Sequence, residues 1–140
     1  DPEMSRGLGD VYKRQEESTV KQRENYVREQ YRILLKAEIE RLLPKWERLT
    51  ELYCDSWQTK YMLTRWGTCN TEKKKLWFNL QLAQKPIECL EYVILHELLH
   101  LKERTHNSVF ISCMDLYMKD WRAVRKELND LRLDYYNKVE

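Results

Sequence analysis

The stretch that decides the fold is residues 90–101, which read LEYVILHELLHL. Eight of these twelve residues are apolar, and a helix that is apolar on most of its sides is a buried helix. Three polar residues, His96, Glu97 and His100, interrupt its second half. Such groups are costly to bury unless they are paired or bind a metal. The segment therefore predicts a buried helix that carries a functional site.

The spacing of the two histidines predicts a metal site on one face of this helix. His96 and His100 are four residues apart, so their side chains project from the same face about one turn apart. Two imidazole nitrogens in this arrangement can bind one Zn²⁺ ion at about 2.0–2.1 Å. Glu97 follows the first ligand, where a carboxylate can act as the general base on the water molecule that a hydrolytic zinc activates.

A hydrolytic zinc ion keeps three protein ligands and one open position, so a third ligand is required. The chain contains three histidines, and the remaining one, His106, follows His100 by six residues. If the helix ends near residue 103, a short turn brings His106 back to the metal. The alternatives for this ligand are acidic side chains, namely Glu103, Asp115 and Asp120.

This ligand set predicts hydrolysis. Glu97 would take the proton of the attacking water and then pass it to the leaving amine. Candidates for a further hydrogen-bond donor to the negatively charged intermediate are Tyr92, Tyr117 and Arg122. Two alternatives stay open: a zinc hydrolase of phosphate or small amide substrates, and a non-catalytic zinc module associated with nucleic acid.

Length and composition favour a single domain with little net charge. The chain has 140 residues and a net charge of +2, which is too small to indicate a nucleic acid or an anionic membrane as partner. No apolar run approaches the roughly 18 residues of a membrane-spanning helix. The four cysteines form no C-x-x-C pair and no apolar secretion signal begins the chain, so we expect reduced thiols and a cytoplasmic location. The sequence does not indicate an oligomeric state.

The first fifteen residues read DPEMSRGLGDVYKRQ and show no helical or strand period. The peptide DVYKRQ is what the genetic code gives for GAT GTG TAT AAG AGA CAG, a transposon end used in sequencing-library preparation. We interpret residues 1–15 as a translated adapter joined to a truncated gene, with the native domain over 16–140; the alternative is a native disordered leader. Native codons that continue upstream through this stretch in source DNA would contradict the interpretation.

Helical patterns lie on both sides of the histidine segment. Apolar residues recur at three- and four-residue spacing over 16–43, Pro44 is expected to interrupt or kink this helix, and a shorter helix is predicted over 45–53. After Pro86, helices are predicted over 86–103, from residue 107 or 108 to 119, and over 121–135. The predicted core face of the second of these is Val109, Phe110, Cys113, Leu116 and Tyr117.

Two segments between the helices have the period of two that is typical of strands. Apolar and polar residues alternate over 57–64 and again over 76–82. Gly67 and Asn70 supply turn residues between them. We expect the two strands to pair antiparallel.

Several motifs occur in an order that is similar to one known family. They are Arg65-Trp-Gly-Thr-Cys69, Trp77-Phe-Asn-Leu80, Tyr92 to His100, His106 with Phe110, and Asp120-Trp121. Over roughly residues 57–128 the chain resembles the YgjP-like metallopeptidases, and more widely the SprT-like and minigluzincin-type zinc peptidases.

The resemblance implies an α+β, zincin-like fold, in which a small antiparallel sheet packs on the H-E-x-x-H helix with additional helices. It implies zinc held by His96, His100 and His106, with Glu97 as the catalyst and a peptide or protein as the substrate. It also implies that the strand holding Asn79 borders the cleft. On that strand Trp77 and Asn79 would face away from the core and bind substrate.

The chain departs from the family pattern at a few positions. The family usually has serine at the positions of Thr68, Asn70 and Asn107, and tryptophan near Ile111. None of these departures removes a predicted ligand. The family also usually has strands before the long helix, so we expect the N-terminal part of the domain to be missing.

Overall fold

The computed structural model describes residues 2–130 of the chain, with side chains from residue 19 onward. Within this range lie four α-helices, three strands and one 3₁₀ helix. They are α1 (Pro2–Thr50), β1 (Ser56–Lys60), β2 (Gly67–Asn70), β3 (Lys75–Asn79), the 3₁₀ helix (Leu80–Gln84), α2 (Ile87–Leu99), α3 (Ser108–Tyr117) and α4 (Trp121–Asp130). None of the helices described is long and apolar enough to cross a membrane.

Helix α1 runs through Pro44 without interruption, so the prediction of two helices was wrong, as was the expected start near residue 16. A proline inside a helix removes one hydrogen bond. Here that cost is offset because Leu42, Leu43 and Trp46, on both sides of Pro44, are buried in one core. Lys45 Nζ and Trp46 Nε1 also donate to Glu91 on α2, at 2.9 and 3.2 Å.

The sheet is mixed, which corrects the expectation of an antiparallel pair. Strand β3 lies in the centre, parallel to β1 and antiparallel to β2. The segment predicted as a turn at Gly67 to Asn70 is itself the strand β2. It forms a hairpin with β3, so β1 pairs with the other edge of β3. Asn70 starts the hairpin turn by accepting hydrogen bonds from the backbone N–H of Glu72 and Lys73, both at 3.1 Å.

Helix α2 lies at the centre of the fold and contacts α1, α3, α4 and the sheet. On β3, Leu76 and Phe78 are fully buried. Burial of apolar surface of this kind contributes about 25 cal/mol per Å². The α2 side chains buried in the same core are Cys89, Leu90, Tyr92, Val93, Ile94, Leu95, Leu98 and Leu99.

The helices after the sheet are close to the predicted ones, with three differences. Helix α2 ends at Leu99 rather than near residue 103, and α3 ends at Tyr117. Asn107 is the N-cap of α3, as one of the two predicted alternatives had it. The buried face of α3 is Phe110 and Met114, whereas Val109 and Leu116 are 42% and 71% exposed. The predicted extension of the last helix beyond residue 130 lies outside the described residues.

Candidate metal centre

Three histidines from two segments meet at one point. His96 and His100 lie at the C-terminal end of α2, and His106 lies in the loop before α3. The Nε2 atom of His100 is 3.1 Å from that of His96, and the Nε2 atom of His106 is 3.2 Å from each of the other two. Ligand nitrogens that bind one tetrahedral zinc ion at about 2.0–2.1 Å lie about 3.3 Å from one another. The three nitrogens therefore fit a zinc ion with only a small adjustment.

Two of the three acidic alternatives for the third ligand, Glu103 and Asp115, have other partners. The Glu103 side chain accepts a hydrogen bond from Asn107 Nδ2 at 2.9 Å. Asp115 accepts from Trp121 Nε1 at 2.8 Å and from Arg122 at 2.7 Å. Among the side chains of residues 19–130, the group of potential metal ligands that converges consists of the three histidines alone.

Backbone turns after α2 return the chain to the metal centre. Glu103 N–H donates to Leu99 O at 2.9 Å, and Glu103 O in turn accepts from His100 Nδ1 at 3.0 Å. Because a carbonyl oxygen can only accept, Nδ1 of His100 carries the proton and its Nε2 presents a lone pair. Asn107 then starts α3 by accepting from Phe110 N–H at 2.9 Å. The loop that carries His106 is thus braced at both ends.

Phe110 forms the packed wall behind the three imidazoles. Its ring centroid lies 5.1 Å from that of His96, 4.9 Å from His100 and 4.8 Å from His106. Phe110 is itself buried. Its contacts restrict the orientation of all three rings, which a preformed metal site requires.

Burial disfavours the charged form of two of the histidines, His96 and His100. Burial, together with the neighbouring His100 and His106, lowers the pKa of His96 to about 3. Burial also lowers the pKa of His100. Nδ1 of His96 is buried and has no hydrogen-bond partner within the described part of the chain. Neutral imidazoles whose Nε2 atoms face one another form an electron-rich site that suits a cation.

Glu97 lies beside the histidines in a nearly closed environment. The residue is 5% exposed, and burial raises the pKa of its carboxyl to about 8, an effect that the charge of Arg65 opposes. A cation held by the histidines would lower this pKa, since an opposite charge favours the carboxylate. The environment therefore suits a group that gains and loses a proton near neutral pH.

Gly67 on β2 provides the space for the Glu97 side chain. This role of Gly67 was not predicted from the sequence. A Cβ atom at this position would lie 2.7 Å from Val93 Cγ1 and 3.2 Å from both Cγ and Oε2 of Glu97. The available signal was the place of this glycine in the Arg65 to Cys69 motif, which we interpreted only as a turn. Glycine is required here for close approach of β2 to α2, and not for its backbone angles.

Replacing Gly67 by alanine is expected to destabilise the zinc-loaded protein by about 1–3 kcal/mol, the usual cost of overpacking. The added methyl group would displace Val93 or Glu97. Chemical denaturation of the zinc-loaded protein measures this, with Thr71→Ala in the same cleft as the control. A Gly67→Ala variant as stable as the control would show that the helix and strand have room to separate.

An open cleft of about 480 Å³ gives access to the histidines and Glu97. Its walls come from the segment 64–71, from α2, from the loop before α3 and from α4. Of the three candidate hydrogen-bond donors, Tyr92 lines this cleft, whereas Tyr117 and Arg122 do not. The Tyr92 ring lies 5.6 Å from the ring of His96.

The structure does not bring Trp77 and Asn79 to the histidines. Asn79 is fully buried, donates to Met62 O and Arg65 O at 2.9 and 2.7 Å, and caps the 3₁₀ helix through Gln81 N–H. Trp77 lines a neighbouring depression that none of the three histidines lines, together with Thr68, Cys69 and Asn70 of β2. Since β3 is the central strand, the open sheet edge beside the cleft belongs to β2 and not to the strand that holds Asn79.

The fold and this site together define the class of protein. The chain is similar to the crystal structure of the metallopeptidase zymogen of Methanocaldococcus jannaschii jannalysin, with a TM-score of 0.59 and 19% sequence identity, over 66% of this chain and 94% of that chain. At this identity the likeness shows the fold, which is the α+β fold of a metallopeptidase. A comparison with curated proteins gave no significant match.

The chain belongs to the YgjP-like family, whose metallopeptidase domain matches residues 4–131. The predicted family and the α+β fold class are confirmed, and the family is one of metal-dependent peptidases. The matched range begins inside residues 1–15, so the adapter interpretation of that segment stays a prediction.

Proposed function

We propose that this protein is a zinc-dependent peptidase in which His96, His100 and His106 bind the metal and Glu97 is the general base. The observation that carries the proposal is the triangle of three Nε2 atoms, 3.1–3.2 Å apart, with a buried carboxylate on the same helix. Three nitrogen ligands that leave one position open are typical of catalytic zinc, whereas a structural zinc usually has four protein ligands.

The chain's own residues perform the proton transfers. Zinc, when bound, supplies a Lewis acid that polarises the scissile carbonyl and makes water more acidic. Glu97 takes a proton from the attacking water on a carboxylate oxygen and delivers it to the leaving amine nitrogen. His100 keeps its proton on Nδ1 throughout and donates it in a hydrogen bond to Glu103 O, which holds the ring in place. Tyr92 is positioned in the cleft as a further hydrogen-bond donor.

A peptide substrate can bind in extended form along β2. Within the described residues this strand pairs with β3 on one side only, so its other edge offers backbone N–H and C=O groups to a further strand. The residues of β2 line the cleft together with the histidines. Main-chain pairing of this kind would place a peptide carbonyl near the metal without selecting particular side chains.

One observation favours a second candidate, a zinc hydrolase of phosphate esters. Three arginines, Arg65, Arg104 and Arg125, line the cleft, and arginine binds phosphate well. The peptidase is preferred because the family and the strand edge both support it.

Hydrolysis of fluorescent casein by the purified protein tests the proposal. We expect cleavage that a chelator abolishes and that added zinc restores, with no hydrolysis of p-nitrophenyl phosphate. Cleavage of the phosphate ester alone would favour the second candidate. Inactivity of the zinc-loaded protein on both substrates would contradict a hydrolytic site.

A further inference from the structure

The cleft around the histidines has a strongly positive rim. Arg65 lies before β2, Arg104 in the loop before α3, and Arg125 on α4, so three separate segments each place one arginine at the cleft. Among the described residues that line it, Glu97 is the only carboxylate. The whole chain is nearly balanced, with 25 basic and 23 acidic residues. The excess of positive charge is therefore local to the cleft.

These arginines are exposed and have no ion-pair partner among the side chains of residues 19–130. Other arginines of the chain do have one: Arg32 pairs with Glu29, Arg41 with Glu38 and Arg122 with Asp115. The guanidinium groups at the cleft thus keep their hydrogen-bond donors available for a ligand.

Two of the arginines lie beside β2. Arg65 precedes Gly67, the first residue of this strand, by two positions. Arg104 also lines a second depression, which shares Thr68 and Cys69 of β2 with the cleft. The positive rim therefore follows the open strand edge along which a peptide would lie.

We propose that this cleft selects acidic peptides, with Arg65, Arg104 and Arg125 binding aspartate or glutamate side chains close to the scissile bond. The inference deepens the proposed peptidase function and rests on it. The planar guanidinium fork matches a carboxylate, which gives geometric as well as electrostatic selection. Main-chain pairing to β2 would position the peptide, and the three arginines would determine which side chains are accepted.

Binding of labelled peptides to the zinc-loaded Glu97→Gln variant tests this without requiring turnover. Three peptides of one length carry aspartate, asparagine or lysine at the same central positions, and fluorescence anisotropy gives their affinities. We expect the aspartate peptide to bind about tenfold more tightly than the asparagine peptide, as two or three exposed ion pairs would give. This preference should disappear at about 0.5 M salt, where exposed charges are screened.

Single substitutions test whether the three arginines cause the preference for the aspartate peptide. Arg65→Gln, Arg104→Gln and Arg125→Gln should each weaken binding of the aspartate peptide by roughly two- to threefold and leave the asparagine peptide unchanged. Arg32→Gln, on the exposed surface of α1, is the matched control and should change neither. Arg125→Glu should shift the preference towards the lysine peptide.

Two failures can be told apart. Equal affinities for the aspartate and asparagine peptides, or wild-type cleavage of both at equal rates, would overturn the acidic-peptide inference and leave the peptidase intact. Tight binding of the aspartate peptide with no cleavage by the wild-type protein would instead overturn the peptidase. Binding of p-nitrophenyl phosphate without binding of the aspartate peptide would overturn both.

Discussion

Replacing Glu97 by glutamine removes hydrolysis while zinc stays bound. Glutamine has the same shape as glutamate but cannot accept a proton, so the three histidines are undisturbed and the general base is lost. We expect casein hydrolysis to fall by about 10³-fold, within the range that general acid–base catalysis contributes. Elemental analysis of the same preparation should give the zinc content of the wild-type protein.

The matched control for this substitution is Glu88→Gln. Glu88 lies in the first turn of the same helix, away from the cleft, and the substitution removes the same charge. Its hydrolysis should equal that of the wild-type protein. A Glu97→Gln variant that hydrolyses as fast as this control would exclude Glu97 as the base.

The metal-free protein gives a second readout of Glu97. Burial raises the pKa of its carboxyl from 4.5 to about 8 in the folded protein. Between these pH values the folded state retains a proton that the unfolded state releases, so this group's contribution to stability falls as the pH rises. The Glu97→Gln variant should lack that decrease. Urea denaturation of both metal-free proteins at pH 5 and pH 8 measures the difference; identical pH dependence would contradict the buried environment.

Replacing His106 by alanine is expected to weaken zinc binding by about 100-fold or more, because loss of a supporting group alone already costs 10- to 100-fold. His106 is exposed and lies in a loop, so the fold should survive its loss. Competition with a zinc-binding dye gives the affinity, and circular dichroism confirms folding. Thr105→Ala, the preceding loop residue, is the control.

An unchanged zinc affinity in His106→Ala would move the third ligand elsewhere. Glu103, Asp115 and Asp120 would then be tested in turn. The hydrogen bonds of Glu103 and Asp115 to other side chains argue that neither takes this place in the folded protein.

The helix that carries His96, Glu97 and His100 could be predicted from the sequence because its signals are local. An apolar segment interrupted by His96, Glu97 and His100 indicates both burial and a shared face. His106 followed from the small number of histidines. The precise return of His106 depends on backbone bonds such as Glu103 N–H to Leu99 O, which no side-chain pattern reports.

The sheet could not be predicted as accurately as this helix, because strand pairing depends on contacts between residues that are distant in the sequence. Alternation located β1 and β3, but period two does not say which strands are neighbours or whether they are parallel. Strand β2 has four residues and begins with Gly67, so its pattern resembled a turn. Asn79 alternates with Phe78 as a surface residue would, yet β3 ends at Asn79, and its side chain is buried as the cap of the next helix.

Predictions of helix boundaries and of buried helix faces were wrong where tertiary packing overrides local preference. Pro44 lies between buried residues of one continuous helix. Helix α3 has apolar residues on several faces, so periodicity alone did not separate buried Phe110 and Met114 from exposed Leu116. Local pattern did not reveal what Gly67 does, because its role depends on the distance to Glu97, a residue thirty positions away.

The zinc content of the purified, folded protein, measured by elemental analysis beside the His96→Ala variant, tests the metal centre most directly. The geometry predicts one zinc ion per chain in the wild-type protein and its loss in the variant. A folded wild-type protein that takes up no zinc when the metal is supplied, or a variant that keeps it fully, would contradict the three-histidine site.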